Sequence, residues 1–163
     1  MQVTIDGDVT ANSGTAIFAR NDYDISTYLS ITTNAGSTVT GDQGIYARHE
    51  GSGALTITAN GSVAATGTDN DGIYARTSID AMENLTITTG PSAGGVTGDR
   101  SGIYAQQFGY AALDITANGN LAVTTASLRG AIQTVPAMVT TGVGATVTAD
   151  DTGIYARNSA RGP

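Results

Sequence analysis

The sequence predicts an all-β protein, a right-handed parallel β-helix (solenoid) of about six coils with roughly 28 residues per coil. Three observations lead to this fold class. Short sequence words recur at a nearly constant interval, apolar residues alternate with polar or small ones inside each word, and turn-forming residues stand between the words. The right hand is expected because right-handed crossovers dominate the connections between parallel strands.

The first word is GIYAR, which occurs at 44–48 and again at 72–76. Aligned on their isoleucine, the clear copies of this word stand at Ile17, Ile45, Ile73, Ile103 and Ile154. The first three steps are 28, 28 and 30 residues, and the last step is 51 residues. A degenerate sixth copy around Ile132 divides the long step, so we expect six stacked strands from this word.

A second word of the form LTIT and a third word built around valine alternate with the first word, and one copy of each, at Val3 and Val9, precedes the first word at Ile17. Copies of the second word begin at Val3, Leu29, Leu55, Leu85 and Leu113. Copies of the third word contain Val9, Val39, Val63, Val96, Leu121 and Val147. Turn formers such as Asn60-Gly61 separate the two words. A unit of three short strands cannot bury its apolar side alone, so residues 1–163 are expected to stack as a single domain with an irregular coil at 127–145, around Pro136.

The alternation also predicts which side chains face outward. With Ile45 and Ala47 inside, Tyr46 and Arg48 point outward, and stacking of the coils builds two columns. The aromatic column consists of Phe18, Tyr46, Tyr74, Tyr104 and Tyr155. The arginine column consists of Arg20, Arg48, Arg76 and Arg157, with Gln106 in one coil. These residues are the candidate contact surface, because outward Tyr and Arg are favoured contact residues; a purely structural ladder that holds the coils in register is the alternative.

Charge and composition exclude several classes of function. All seven basic residues are Arg, and fourteen acids outnumber them, which gives a net charge of -7. Such a chain repels phosphates, so we expect no nucleic-acid partner. No run of 18 apolar residues occurs, so no membrane insertion by this segment is expected. The absence of Cys excludes a disulfide framework and thiolate metal sites.

The residues offer little catalytic chemistry, and we expect no enzyme. His49 stands alone at a corner where a solvent-exposed side chain is expected, with no nucleophile singled out near it. Asp69 and Asp71 supply oxygen atoms of the kind that bind Ca²⁺, but the spacing of a calcium loop is missing. Turn formation is the expected role of these acids, and no cofactor is expected. Paired acids that cleave a polysaccharide remain an alternative.

The words GIYAR, LTIT, NGSV and VTGD, in this order, resemble the repeat regions of bacterial autotransporter passengers and related β-helical surface adhesins. The resemblance implies a β-helix displayed at the bacterial cell surface or outside the cell, as a stalk or as an adhesin for a host or cell-surface glycan or protein. The signal peptide and outer-membrane barrel of that family are not found in this sequence.

The ends of the sequence show no polar cap, and the chain holds nearly a whole number of coils. End-to-end stacking with other copies of the chain, growing into filaments, is therefore expected. An ice-binding solenoid is a further alternative, since Thr56 and Thr58 belong to an outward Thr-x-Thr column. Ser30 and Asp114 interrupt that column.

Overall fold

The computed structural model describes residues 1–91, 95–119, 121–122, 126–128, 137–142 and 152–158. These residues form strands and turns, with no helix among them. The first strands are β1 (Gln2–Ile5), β2 (Val9–Thr10), β3 (Thr15–Asn21), β4 (Tyr28–Thr33), β5 (Thr38–Gly41), β6 (Gln43–His49), β7 (Ala54–Ala59), β8 (Ser62–Ala65) and β9 (Asp71–Thr77). The remaining strands are β10 (Leu85–Thr89), β11 (Val96–Thr97), β12 (Ser101–Gln107), β13 (Leu113–Ala117), β14 (Leu121–Ala122), β15 (Ala126–Leu128), β16 (Ala137–Thr141) and β17 (Thr152–Asn158).

The strands form three parallel sheets that are the sides of a β-solenoid. The second word forms sheet A in the order β1-β4-β7-β10-β13-β16. The third word forms sheet B, with β2, β5, β8, β11 and β14 side by side. The first word forms sheet C in the order β3-β6-β9-β12-β17-β15. The predicted fold class is therefore confirmed.

The number of coils differs from the prediction of about six. Four turns, from β1 to β12, contribute a strand to every sheet in chain order, and β13 to β17 complete the sheets less regularly. Strand β17 pairs with β12, so that Ile154 lies beside Ile103. Strand β15 lies outside β17, where Ala126 pairs with Ile154.

The irregular coil predicted at 127–145 is described only in part. Residues 127–128 belong to β15, and 137–141 form β16, which pairs in register with β13. Ile132 and Pro136 lie outside the described residues. The register of the second word also differs by two residues at its start, because Val3 pairs with Ile31 and not with Leu29. A shift of two preserves the alternation, so Val3 still faces the core.

The core is a narrow column of packed apolar side chains between the three sheets. Sheet A contributes pairs such as Leu55 and Ile57, sheet C contributes Ile45 and Ala47, and all four are fully buried. Sheet B adds one valine per coil, for example the fully buried Val63. Buried and less buried residues alternate through β7 and β10, and from Ile45 and Ile73 to the ends of β6 and β9, so the predicted division between core and surface is confirmed for these strands.

Two features of the sequence words have a steric explanation in the stacking of coils. A Cβ atom on Gly44 would overlap the carbonyl oxygen of Gly72, which explains why the word begins with glycine. Aspartates at the corners join successive coils: the Gly14 N–H donates to Asp42 Oδ2 at 2.6 Å. The Asp69 N–H donates to Asp99 Oδ2 at 2.8 Å. These charge-assisted bonds hold coils together where the sheets are interrupted.

Candidate functional site

The outward face of sheet C carries the aromatic column. Phe18, Tyr46, Tyr74, Tyr104 and Tyr155 occupy matching positions on five neighbouring strands. Their successive ring centroids are 4.9, 4.9, 5.3 and 4.5 Å apart, and the interplanar angles are 3, 2, 4 and 7°. The rings therefore form one continuous stack along the solenoid axis.

Strand order in sheet C makes this stack continuous. Chain order would have placed the strand before β17 between Tyr104 and Tyr155. Because β17 pairs directly with β12, the two rings are in contact instead. The sequence contains the five aromatic residues but does not reveal that the last two are neighbours.

The stack presents edges and hydroxyl groups to solvent, since each ring face inside it is covered by the next ring. The stack ends at Phe18, which is 62% exposed, and at Tyr155, which is half-buried. Burial, together with the neighbouring Tyr155 and Tyr74, raises the pKa of Tyr104. Its hydroxyl therefore stays protonated at neutral pH, and it accepts a hydrogen bond from Gln106 Nε2 at 2.8 Å.

The arginine column runs beside the aromatic stack and has two different halves. Arg20 forms an ion pair with Asp22, and Arg48 forms one with Glu50. The hydrogen bond that Arg48 Nε donates to Glu50 is the main reason why the pKa of Arg48 is raised. In both cases the acid stands two residues after the arginine, on the same outward face, so the first two coils neutralise their own charge.

Arg76 and Arg157 instead approach an aromatic ring that the sequence analysis missed. The guanidinium carbons of Arg76 and Arg157 lie 4.9 and 5.8 Å from the ring centroid of Phe108. Phe108 follows β12, whose neighbours in sheet C are β9 and β17. The signal in the sequence was its position, two residues after Gln106, where the first coils carry an acid.

The acids considered for calcium binding and catalysis have other partners. Asp71 is fully buried, and both of its carboxylate oxygens accept hydrogen bonds from Arg100. This contact is the main reason why the pKa of Arg100 is raised. Asp69 is exposed, has a positive φ of 58° and is tied by its N–H group to Asp99. These contacts favour a structural role for both acids.

The outward face of sheet A carries two polar columns. One is threonine in every strand, and its members are Thr4, Thr32, Thr58, Thr88, Thr116 and Thr140. The other is mixed, and its members are Gln2, Ser30, Thr56, Thr86, Asp114 and Met138. The interruptions expected from the sequence therefore affect one column, while the other is unbroken across six strands.

A buried polar column lies at the corner where the strands of sheet C end. It consists of Asn21, His49, Thr77, Gln107 and Asn158. The expectation that His49 is exposed is wrong: its exposed fraction is 0%, because the inward alternation of Ile45 and Ala47 continues to this residue. Neither ring nitrogen of His49 has a hydrogen-bond partner among the described residues.

The first coil forms one end of the described solenoid. Sheet order places β1, β2 and β3 at the edges of their sheets. The inward residues Val3, Ile5 and Val9 are partly exposed there, whereas their equivalents in the next coils are fully buried. Exposed apolar side chains surround this end, namely Met1, Phe18, Tyr23, Ile25 and Tyr28. The end combines edge strands with apolar surface.

Together these features define a parallel β-solenoid repeat protein with ordered surface columns. No known protein family, characterised protein or solved structure matches the chain. In the described part of the chain, no helix has the length and apolarity to cross a membrane.

Proposed function

We propose that the chain is a non-enzymatic, structural or adhesive β-helix that acts outside a bacterial cell and extends by end-to-end stacking with other copies of itself. The first coil is the observation that carries the stacking proposal. Strands β1, β2 and β3 are the edge strands of the three sheets, and the core residues that they contribute are partly exposed. A further coil supplied by a second copy would pair these edges and bury the core.

The exposed end of the aromatic stack also supports a contact between the first coil and a second copy of the chain. Phe18 ends the stack with a ring face open to solvent, and the rings behind it repeat at close to the strand spacing. A strand from another copy that paired with β3 would cover this ring face. Because the two contact surfaces are different ends of the molecule, such contacts do not close into a ring and grow a filament instead.

Location outside the cell rests on the resemblance of the sequence words to bacterial surface adhesins. The net charge of -7 fits an exposed, soluble filament. The outward columns fit adhesion, because the tyrosine rings of β9, β12 and β17, with Arg76 and Arg157 beside them, offer repeated contacts to a glycan or protein of a host or another cell.

Negative-stain microscopy and sedimentation velocity of the purified chain test the stacking proposal. Filaments about one solenoid wide are expected, and Phe18→Asp is expected to reduce them to single molecules by charging the first coil. Tyr110→Asp is the matched control, because Tyr110 is also an exposed aromatic residue but lies beyond β12, far from the first coil. Single molecules of the unmodified chain at high concentration would contradict the proposal.

Ice binding is a second candidate that one observation favours, namely the unbroken threonine column of sheet A. Its hydroxyl groups repeat at the strand spacing along a flat face. The neighbouring column contains Asp114, whose charge is strongly hydrated, and the exposed Met138. Thermal hysteresis of the intact chain, lost in Thr58→Lys and kept in the sheet B variant Thr40→Lys, would support this function; no hysteresis would eliminate it.

A further inference from the structure

Two arginines on the outward face of sheet C carry charge that no carboxylate of the described residues balances. Five arginines lie within the described residues, and Arg20, Arg48 and Arg100 form ion pairs. Arg76 and Arg157 form no ion pair with any described residue. In a chain with a net charge of -7, this local excess of positive charge marks a distinct part of the surface.

In this part of the column, the position two residues after the arginine does not carry an acid. Two residues after Arg20 and Arg48 the chain carries Asp22 and Glu50. The corresponding residues, two positions after Arg76 and Arg157, are Ser78 and Ser159. The first two coils therefore neutralise their arginines, whereas the later coils leave them available to an external anion.

Phe108 holds the two charges at fixed positions. The ring lies between the strands that carry Arg76 and Arg157, at 4.9 and 5.8 Å from their guanidinium carbons. Cation–π contacts orient the guanidinium groups without neutralising them. Two guanidinium groups beside one ring repel each other, and a bound carboxylate would relieve this repulsion while accepting paired hydrogen bonds.

We propose that Arg76, Phe108 and Arg157 form a binding subsite for the carboxylates of an acidic saccharide. A saccharide is favoured because the half-buried Tyr104 stands on the strand between the two arginines. Its hydroxyl accepts a hydrogen bond of 2.8 Å from Nε2 of Gln106, whose side chain is buried. Sugar hydroxyls both donate and accept hydrogen bonds, as a tyrosine hydroxyl does.

The shape of the surface agrees with a chain-like ligand. Equivalent Tyr and Arg side chains repeat along the solenoid axis in straight columns, and the aromatic rings keep interplanar angles of 7° or less from β3 to β17. A polymer of acidic sugars that lies along this axis would meet both free arginines in turn. This proposal rests on the adhesive part of the proposed function, and it specifies acidic saccharides as the class of ligand.

Calorimetry with oligogalacturonate, a chain of sugars that each carry a carboxylate, tests the subsite. The titration is made in the Phe18→Asp background, so that binding is measured on single molecules and remains measurable whether or not the chain stacks. Binding is expected to weaken about tenfold or more in Arg76→Gln and in Arg157→Gln, since each variant loses a charge-assisted contact. Binding should also weaken with added salt.

Arg20→Gln is the matched control, because Arg20 stands in the same column but is already paired with Asp22. The affinity of Arg20→Gln for oligogalacturonate should stay unchanged. An uncharged galactose oligomer should bind to none of the proteins. Far-UV circular dichroism and urea midpoints confirm that each variant is folded. The proposal is overturned by an absence of oligogalacturonate binding, by equal losses in Arg20→Gln and Arg76→Gln, or by tighter binding of a poly-glutamate peptide.

Discussion

Replacement of Tyr74 by alanine removes a central ring from the aromatic stack. Tyr74 contacts Tyr46 at 4.9 Å and Tyr104 at 5.3 Å between centroids. Each stacked pair contributes about 0.5–1.5 kcal/mol beyond the burial of area, so the loss of two pairs should destabilise the fold by about 1–3 kcal/mol. Phe18 has one such contact and is 62% exposed, so Phe18→Ala should cost about half as much.

Urea unfolding followed by far-UV circular dichroism measures both variants, and a shift of the midpoint at constant slope reports the change in stability. Tyr74→Phe keeps both ring contacts and should retain most of the stability. A double-mutant cycle between Tyr46→Ala and Tyr74→Ala should give a coupling free energy of about 0.5–1.5 kcal/mol. Equal losses in Phe18→Ala and Tyr74→Ala, or a coupling near zero, would show that the stack does not stabilise the solenoid.

Three further predictions concern buried groups. Burial, and secondarily the N-terminal ammonium group, lowers the pKa of His49 against the effect of Glu50; the unfolded chain then binds more protons, and stability should fall as the pH drops below about 6.5. His49→Gln should reduce this pH dependence of the urea midpoint. Arg100→Gln leaves the buried Asp71 carboxylate unpaired and should cost about 3 kcal/mol, part of which the double variant with Asp71→Asn recovers. In thermal unfolding, Gly53→Ala should destabilise by about 1–3 kcal/mol, because its Cβ would overlap a backbone carbonyl oxygen of the preceding coil.

Each of these predictions has an outcome that would contradict it. An unchanged pH dependence in His49→Gln would show that the acid sensitivity comes from other groups. A double variant less stable than Arg100→Gln alone would mean that the carboxylate of Asp71 is stabilised without its arginine. Gly7 has open space around a hypothetical Cβ, so Gly7→Ala is the control for Gly53→Ala and should change stability by less than about 0.5 kcal/mol.

The sequence predicted the sheets, the alternation and the aromatic column because these follow from local spacing. Ile45, Tyr46 and Ala47 alternate with period two, so their faces are known once the segment is read as a strand. The same rule extended by two residues would have placed His49 inside. The error came from treating the end of the word as the end of the strand.

Other parts of the site depend on pairing between strands far apart in sequence. The 51-residue step before Ile154 contains weak patterns, and sequence spacing favoured a strand at Ile132 between the last two strong words. In the structure β17 pairs with β12 instead, which brings Tyr155 onto Tyr104 and Arg157 to Phe108. Phe108 itself lies just beyond a recognised word, and its contacts are visible only when three strands are side by side.

The sequence by itself therefore determined which side chains face outward, since alternation is a property of each strand's own backbone. Tertiary structure decided which of them are neighbours, because hydrogen bonding between strands joins residues that are 28 or 51 positions apart. The continuity of the aromatic stack, the unbroken threonine column and the two arginines beside Phe108 all depend on this pairing. Their physical origin is the strand spacing of about 4.8 Å, which converts residues distant in sequence into adjacent members of a column.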